Sequence, residues 1–350
     1  MKKFLIANPF GIGDALFSLA SAEKIRQNDP RVTIGFIGNE RTASLLRLCA
    51  SVDHVYVFNR DHLNHCWKNS PLTHFKEIKK LTDAVGKERY DALLDFSLGR
   101  EFSLAAMLMG IRRRIGFDYK GRGIFLTYKK KIAAYEKSPV AQQQMDLLKD
   151  AGIFPDNRMP GTISIRVSSG ASGRMHGKAP LVSIAPGGCR SWGRDAIYKQ
   201  WNPERFAEAA NRIISLRPGV RIALLGDKDE EFLLQQVKKE LRGAECAVLA
   251  GESIESVCGV LKQSDMLLCN DGGLLHLAHA LGTKSVAIFG PVDERVYGPY
   301  GGPAPFRVVT QGVPCRPCYQ NFHFPPCSHE RQCLTEISVD KVIEAVREIL

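Results

Sequence analysis

Short apolar runs alternate with longer amphipathic stretches through the first half of the chain. Apolar runs typical of strands occupy residues 3–7, 32–37, 55–58 and 92–95. Helical spacing of apolar residues occupies 15–27, 42–49, 74–85 and 102–109. Strands that alternate with helices indicate a parallel sheet covered by helices. Residues 60–73 show neither pattern, and we expect a loop there that is long enough to be functional.

The alternation of strands and helices starts again in the second half. We expect strands at 181–185, 221–225, 266–269 and 285–289. Helices are expected at 203–216, 230–241, 254–262, 274–281 and 339–350. Pro203 suits the first position of a helix with Asn202 as its cap, and Ser338 is a plausible cap for the last helix. The second half therefore also predicts an α/β domain.

The chain length and a Ser/Gly-rich stretch between the two halves set the expected domain organisation. A chain of 350 residues fits two ordinary domains better than one core. Residues 168–173 have the composition of a flexible linker. We expect an N-terminal domain at 1–167, a linker at 168–179, a C-terminal domain at 180–337 and a final helix at 338–350. We expect the α/β fold class, with two Rossmann-like domains whose parallel sheets face a central cleft.

The charge is concentrated in the first half of the chain. The formal charge is +11, of which residues 1–170 carry +10 and the remainder +1. Within 110–131 there are eight basic residues, and Asp118 is the one acid. This balance predicts an anionic partner for the first half, or else a solvated basic surface. No nucleic-acid recognition motif accompanies it, so nucleic acid is not expected as the partner.

Composition places the protein among globular, cytoplasmic chains. Hydrophobic residues make up 44% of it, and no apolar run reaches the 18 or so residues of a membrane-spanning helix. The apolar start of the chain is soon interrupted by Asn8 and Pro9, which favours a first buried strand over a signal peptide. Scattered cysteines such as Cys49 and Cys258 are typical of small buried residues in a reduced protein.

A glycine turn follows the expected strand 266–269. Asp271, Gly272 and Gly273 lead into a helix whose first turn contains His276. The glycines allow a ligand close to the backbone, and a helix N-terminus favours a phosphate. His276 could donate to a phosphate oxygen. The alternatives are that Asp271 is a plain helix cap and that His276 is a core histidine.

Two other strand ends in the second half carry candidate ligand-binding residues. The strand 181–185 runs into Gly187 and Gly188, and Lys199 stands shortly before the next helix, where it could place a charge on a diphosphate. Beyond the strand 221–225, Glu230 is one of several acids that could hold ribose hydroxyls. Three such strand ends together indicate a site for a nucleotide diphosphate.

The first strand also ends in a glycine turn, but this turn carries an acid at the start of the following helix. Gly11, Gly13 and Asp14 resemble half of a dinucleotide fingerprint, but Leu16 occupies the position of its third glycine. An acid at a helix start would repel a phosphate. Asp14 therefore suits contact with a hydroxyl, or a role as general base. The alternative is a carboxylate that the helix dipole stabilises by about 0.3–1 kcal/mol.

These motifs together resemble glycosyltransferase family nine, the ADP-heptose:lipopolysaccharide heptosyltransferases. The resemblance rests on Gly11-x-Gly13-Asp14, Lys199-x-Trp201, and Asp271-Gly272-Gly273-Leu274-x-His276 followed by Phe289-Gly290-Pro291, and it covers nearly the whole chain. The family implies a GT-B fold with donor binding in the C-terminal domain and acceptor binding in the N-terminal domain. It also implies that 338–350 crosses back to pack on the first domain.

The resemblance assigns roles to individual residues. It makes Asp14 the catalytic base, Lys199 the diphosphate-binding lysine and Asp271 a donor-site acid, while Glu230 aligns less securely with a ribose-binding acid. Gly187, Gly188, Gly272, Gly273 and His276 complete the expected donor site, and Gly13 and Arg122 are the expected acceptor contacts. Gly273 and the 187–191 loop depart from the family, because many members carry a hydroxyl residue at the first of these turns and one can occur at the second.

The implied activity is inverting transfer of a heptose or related sugar from an ADP-sugar to an anionic lipid-linked saccharide such as the lipopolysaccharide core. No metal cofactor is expected to be required. The protein is expected to be cytoplasmic, with peripheral contact at the inner face of the cytoplasmic membrane. Alternatives are a sugar-nucleotide epimerase of the same fold, and a non-catalytic protein that binds nucleotide or lipopolysaccharide.

A cysteine-rich segment near the C-terminus is a separate candidate site. Cys315, Cys318, Cys327 and Cys333 could hold zinc as four thiolates, with His323 or His329 as substitutes. The spacing is not that of a standard zinc ribbon or finger. Reduced or redox-labile thiols are the alternative, and neither interpretation makes this segment catalytic.

Overall fold

The computed structural model describes residues 2–168, 170–171, 175, 177, 179–187, 190–300 and 304–350. The chain divides into two compact units, Met1–Arg166 and Val167–Leu350. Each unit contains one parallel sheet with helices packed on it. The predicted α/β class with two Rossmann-like domains is therefore confirmed. Half of the predicted linker, including Ser169, Ser172 and Gly173, lies outside the described residues.

In the first unit, the described residues form a six-stranded parallel sheet in the order β3-β2-β1-β4-β5-β6. Its strands are β1 Lys3–Ala7, β2 Thr33–Gly38, β3 His54–Val57, β4 Ala92–Asp95, β5 Arg113–Tyr119 and β6 Tyr128–Ile132. Its helices are α1 Ile12–Asn28, α2 Glu40–Leu48, α3 Arg60–Asn69, α4 Pro71–Lys87, α5 Glu101–Leu108 and α6 Val140–Asp150. A short 3-10 helix, Gly123–Phe125, lies between β5 and β6.

In the second unit, the described residues form a sheet in the order β12-β11-β10-β7-β8-β9. Its strands are β7 Leu181–Ala185, β8 Arg221–Gly226, β9 Cys246–Ala250, β10 Met266–Asn270, β11 Ser285–Phe289 and β12 Phe306–Thr310. Its helices are α7 Pro203–Leu216, α8 Glu231–Glu240, α9 Ile254–Gln263, α10 Gly273–Leu281, α11 Glu294–Tyr297, α12 Gln332–Thr335 and α13 Val339–Arg347. 3-10 turns cover Arg190–Lys199 and Lys228–Glu230.

The central strands explain why the strongest sequence patterns were correct. Strands β7, β10 and β11 are buried along their whole length, as expected for parallel strands covered by helices on both faces. A continuous apolar run is therefore the sequence signature that predicts them. Trp201 and Phe206 are buried in the same core and meet edge to face, with ring centroids 5.1 Å apart.

The predicted loop at 60–73 is wrong, because the structure has helix α3 and the start of α4 there. Asn59 caps α3 by accepting a hydrogen bond from the His62 N–H, and Ser70 caps α4 in the same way from Thr73. The segment is rich in polar residues, so its apolar periodicity is weak. Two caps and the packing of α3 against α4 stabilise the helices instead.

Several elements lack a sequence prediction altogether. Strands β5, β6, β9 and β12 and helix α6 belong to this group. Strand β6 reads Tyr-Lys-Lys-Lys-Ile and is exposed along most of its length, so it has no apolar alternation. It is a strand because it continues the sheet beside β5, as the register of Ile115 opposite Tyr128 shows.

The predicted helix caps in the second unit are confirmed. The Asn202 side chain accepts a hydrogen bond from the Glu204 N–H, and Ser338 accepts one from Lys341. Helix α13 buries Val342 and Val346 in the core of the second unit beside α7 and β12. Packing of 338–350 on the first domain stays a prediction.

Each sheet has one point where the strand order reverses. In the first unit it lies between β1 and β4, and in the second between β7 and β10. The loops that leave two such neighbouring strands diverge to opposite sides of the sheet and open a crevice at the carboxyl ends. Ligands of doubly wound sheets bind in this crevice. Both predicted glycine turns, after β1 and after β10, lie at these reversal points.

Candidate active site

Asn270, the last residue of β10, joins the loops at the reversal point of the second sheet. Its Nδ2 donates to the carbonyl oxygens of Pro186 at 2.8 Å and Gly187 at 3.1 Å. Its Oδ1 accepts from the backbone N–H of Trp201 at 3.0 Å. One buried amide therefore fixes the loop after β7 and the segment before α7. Sequence reasoning missed this role, although the position of Asn270 at a strand end was visible.

Lys199 and Asp271 form a buried ion pair at the same place. The Nζ of Lys199 lies 2.7 Å from Oδ2 of Asp271, and the two side chains are only 6% and 5% exposed. A buried pair gains little net stability, because desolvation offsets the attraction. Its main effect is geometric, since each charge holds the other at the mouth of the β10 turn. The structure therefore brings together two residues that the sequence placed in one site.

His276 lies in the first turns of α10 and is buried close to that pair. Burial, followed by the charges of Lys199 and His279, lowers the pKa of His276 to about 3. The imidazole is consequently neutral at pH 7, and it can donate one N–H without bringing a charge. Asp271 does not cap α10, whose N-cap residue is Gly272, with no side-chain cap bond. The interpretation of Asp271 as a plain cap is thus wrong.

Helix α10 begins at Gly273, so the N–H groups of its first turn face the end of β10. These groups carry the positive end of the helix dipole and favour an anion. On the facing strand end, a Cβ at Gly187 would lie 2.2 Å from Oε1 of Glu230. Gly187 therefore permits the close approach of Glu230. Gly188 lies outside the described residues.

Glu230 is held by its own loop. Its Oε2 accepts a hydrogen bond from the Asp227 N–H at 3.0 Å, within a capping box that closes the turn after β8. The structure therefore gathers Gly187, Glu230, Lys199, Asp271 and His276 at the carboxyl edge of one sheet. The three strand ends that the sequence singled out belong to a single region of the second unit.

Asp14 lies at the reversal point of the first sheet. Helix α1 has Gly11 as its N-cap, with Gly13 and Asp14 in the first turn. Asn8 steadies this turn, because its Nδ2 donates to the carbonyl oxygen of Asp14 at 3.0 Å and to Oγ of Ser18 at 2.8 Å. Asp14 is partly exposed. The residue is therefore not closed off from solvent, and the N-cap position belongs to Gly11.

A buried carboxyl group and a buried phenol in the region of Asp14 were not predicted from the sequence. Asp95 ends β4 in register with Ala7 of β1, and its Oδ1 accepts from the N–H and Oγ of Ser97 at 3.1 and 2.6 Å. Burial raises the pKa of Asp95 to about 6. Burial also raises the pKa of Tyr135, and the charges of Asp14 and Asp95 add to that effect. Tyr135 is therefore near both carboxylates.

Arg122 lies on the exposed loop between β5 and β6. Its guanidinium stands over the ring of Tyr119, 5.5 Å from the centroid, and Lys120 lies 4.9 Å from the same ring. Such cation–π contacts orient the charges without neutralising them. The basic stretch 110–131 is therefore ordered on β5, β6 and their connection.

The thiols of the C-terminal segment influence one another. Burial raises the pKa of Cys333 to about 11, and the neighbouring thiols Cys315, Cys318 and Cys327 add to the shift. Nevertheless, the described residues contain no group of three or more His, Cys, Asp or Glu side chains placed to hold a metal ion. The zinc hypothesis gains no support from this geometry. The helices of the described residues also include none that is long and apolar enough to cross a membrane.

The sequence matches the family model described as "Glycosyltransferase family 9 (heptosyltransferase)" over residues 78–322. The chain belongs to glycosyltransferase family 9. It is 24% identical to lipopolysaccharide heptosyltransferase 1 of Escherichia coli K12 over 314 residues, which cover 85% of this chain and 91% of that protein. It is 22% identical to lipopolysaccharide heptosyltransferase 2 of Salmonella typhimurium LT2, over 99% of this chain and 98% of that protein.

A solved structure of the E. coli ADP-heptose lipopolysaccharide heptosyltransferase II has the same fold. It superposes with a TM-score of 0.77 at 20% identity and covers 100% of this chain and 98% of the other. The structure of E. coli heptosyltransferase WaaC with ADP gives a TM-score of 0.73 at 19% identity, over 99% of this chain and 100% of the other. The predicted family, the GT-B class and the assignment as a glycosyltransferase are confirmed.

Proposed function

We propose that this family 9 glycosyltransferase moves a heptose or related sugar from an ADP-sugar to a lipopolysaccharide-core or other lipid-linked saccharide. Its relatives, which are lipopolysaccharide heptosyltransferases and an ADP-heptose lipopolysaccharide heptosyltransferase, support the sugar, the nucleotide and the acceptor class. The observation that carries the proposal is the Lys199–Asp271 pair beside the start of α10, at the reversal point of the second sheet. The Lys199 ammonium, balanced by Asp271, and the positive end of the α10 dipole lie together where a diphosphate would bind.

The donor site is assigned from these contacts. Lys199 is assigned to the diphosphate, and Asp271 orients the Lys199 side chain. The backbone N–H groups at Gly272 and Gly273 add fixed dipoles to the same region, and His276 supplies a neutral donor. The Lys199 ammonium, these N–H groups and the His276 N–H stabilise the negative charge that grows on ADP as its bond to the sugar breaks. Gly187 and Gly188 are assigned to the departing ADP through their backbone N–H groups, and Glu230 is assigned to the ribose hydroxyls.

Asp14 is assigned as the general base. Its partly exposed carboxylate takes the proton of the acceptor hydroxyl as the hydroxyl oxygen attacks the anomeric carbon. The new C–O bond forms on the face opposite the departing ADP oxygen, so the configuration at the anomeric carbon inverts. The positive charge comes from Lys199 and backbone N–H groups, so this mechanism requires no bound metal.

The acceptor is assigned to the first unit. Gly13, beside Asp14, lets the acceptor approach the turn, and Arg122 meets its anionic groups. The excess of basic residues in 1–170 also supports peripheral contact with anionic lipids at the inner face of the cytoplasmic membrane. We therefore place the enzyme in the cytoplasm and expect no nucleic acid among its partners.

The test is incubation with ADP-heptose and a heptose-free lipopolysaccharide core, followed by mass spectrometry and NMR of the product. The acceptor should gain one heptosyl unit with inverted anomeric configuration, and UDP- and GDP-sugars should react poorly. Conversion of the sugar nucleotide without any change in the acceptor would instead indicate an epimerase. A product with retained configuration would contradict the role given to Asp14.

A further inference from the structure

An open cavity lies beside the ends of β5 and β6 in the first unit. Its volume is about 650 Å³, and its lining includes Lys120, Lys129 and Lys131 with Asp118, Ile124 and Ile132. A volume of this size accommodates a sugar-sized ligand and exceeds what a single small anion fills. Three ammonium groups and one carboxylate give the lining a net charge of about +2.

The three lysines of β6 do not all face the cavity. Side chains alternate along a strand, so Lys129 and Lys131 share one face and Lys130 takes the other. The cavity lining agrees, because it includes Lys129 and Lys131 and not Lys130. Lysines on an edge strand often serve to block edge-to-edge pairing. That explanation applies equally to all three residues and does not account for a cavity on one side.

Part of the cavity is built from buried contacts. Asp118 is 6% exposed, and its Oδ1 accepts the Gly123 N–H at 2.9 Å. The Nζ of Lys129 lies 3.8 Å from Oδ2 of Asp118 and donates to the Gly123 carbonyl at 3.3 Å. Lys120 stands over the Tyr119 ring. Lys120 and Lys129 are thereby oriented before a ligand arrives, which lowers the entropy lost on binding.

The charge and the apolar residues define the ligand class. A phosphate monoester carries about −1.5 to −2 at pH 7 and matches a lining of +2 better than a single carboxylate does. Ile124 is exposed beside the lysines and offers a surface for the carbon skeleton that bears the phosphate. We propose that this cavity binds a phosphate monoester carried by the saccharide acceptor. This inference rests on the proposed function and adds a chemical requirement to it.

Direct binding tests the cavity without any transfer reaction. Glucose 6-phosphate, glucose and inorganic phosphate are titrated by calorimetry into the wild type, Lys129→Ala/Lys131→Ala and Lys130→Ala/Lys149→Ala. Both double variants remove two charges from exposed positions of the first unit. Glucose 6-phosphate should bind the wild type, bind the Lys129→Ala/Lys131→Ala variant at least about tenfold more weakly, and bind the control variant nearly as well as wild type.

The second arm uses transfer with a phosphorylated acceptor and the same acceptor after phosphatase treatment. The wild type should prefer the phosphorylated acceptor through a lower KM, and Lys129→Ala/Lys131→Ala should lose that preference while ADP affinity is kept. The control variant should keep the preference even if its overall rate falls with the lost charge. Equal KM values for the two acceptors in the wild type would overturn the proposal.

The remaining outcomes also decide the question. If no acceptor is glycosylated yet glucose 6-phosphate binds in a Lys129- and Lys131-dependent way, the proposed function fails and the cavity stands as a sugar-phosphate site. Equal losses of glucose 6-phosphate binding in both double variants would mean that the ligand responds to the overall positive charge of the first unit and not to this cavity, which would overturn the proposal. Pelleting with phosphatidic-acid vesicles that depends on Lys129 and Lys131, without binding of glucose 6-phosphate, would assign the site to lipid headgroups and overturn the saccharide assignment.

Discussion

At the scale of single residues, the two assigned roles of Asp14 and Lys199 differ in what supports them. Lys199 has a defined buried partner, whereas Asp14 is a partly exposed carboxylate in the first turn of α1. A partly exposed acid is accessible to a substrate hydroxyl, and a buried lysine is already oriented toward its site. Each role therefore predicts a different balance between turnover, binding and stability.

Asp14→Asn should reduce turnover by roughly 10²–10⁴-fold and leave ADP affinity nearly unchanged, because the amide cannot take the proton of the acceptor. The measurement is steady-state transfer with ADP titration by calorimetry as the control. If the carboxylate only interacts with the helix dipole, the variant would lose about 0.3–1 kcal/mol of stability and keep near-normal turnover. That combination would remove Asp14 from the mechanism.

Lys199→Ala should weaken ADP binding by about 1.5–3 kcal/mol through loss of a charge-assisted contact. It should also lower stability by several kcal/mol, because Asp271 is left as a buried, uncompensated charge. The double variant Lys199→Ala/Asp271→Asn separates these effects, since it should regain stability without regaining ADP affinity. Lys228→Ala, at an exposed lysine of the same unit, is the control. Normal ADP affinity in folded Lys199→Ala would exclude a diphosphate contact.

Asp95 predicts a pH dependence of stability. Its pKa rises from 3.8 to about 6 in the folded protein, so the fold holds this proton more tightly than the unfolded chain does. The stabilisation is complete below about pH 4 and is lost as pH rises through 6. Asp95→Asn should therefore gain up to roughly 3 kcal/mol over wild type between pH 4 and 7. Denaturant unfolding at several pH values measures this, and parallel curves for both proteins would contradict it.

At the scale of elements, the active-site candidates are held by the loops at strand ends. Gly187 after β7 and Glu230 after β8 come so close that an added Cβ would displace the Glu230 carboxylate. That carboxylate also caps the Asp227 N–H. The two loops are therefore expected to respond to mutation as one unit.

Gly187→Ala should weaken donor binding several-fold and reduce stability, because Glu230 must leave its hydrogen bond. In a Glu230→Ala background the same change should cost much less, giving a coupling energy of roughly 0.5–3 kcal/mol. Thermal unfolding and ADP titration across the double-mutant cycle provide both readings. Strictly additive effects would contradict this coupling, because they would mean that the loop accommodates the methyl group without displacing the Glu230 carboxylate.

At the scale of the whole molecule, the charge difference between the halves is the main sequence property that affects association. Binding to vesicles that contain acidic lipid should exceed binding to neutral vesicles, and it should fall as salt rises from low to physiological concentrations and beyond. Co-sedimentation measures this. Equal pelleting with neutral and acidic vesicles would remove the electrostatic part of the proposed membrane contact.

The sequence by itself determined the α/β class and eight of the twelve strands that the structure describes. Strands β1, β4, β7 and β11 were predicted with their exact bounds because they are central or buried strands whose apolar runs contrast with the glycines and polar residues that follow. The glycine turns after β1 and β10 were also predicted, since both the turn and the following helix start are local. A local pattern was therefore sufficient to predict an element where a continuous apolar run marked a strand that is buried in the fold.

Only the tertiary structure decided the elements and contacts that depend on distant partners. The edge strand β6 forms because it pairs with β5 through backbone hydrogen bonds. Its three consecutive lysines leave no apolar alternation from which a strand could be predicted. The Lys199–Asp271 pair and the bridging role of Asn270 join residues about 70 positions apart in the chain. The raised pKa of Asp95 arises from burial that the fold alone imposes. Pairing and desolvation are three-dimensional properties, so no local pattern encodes them.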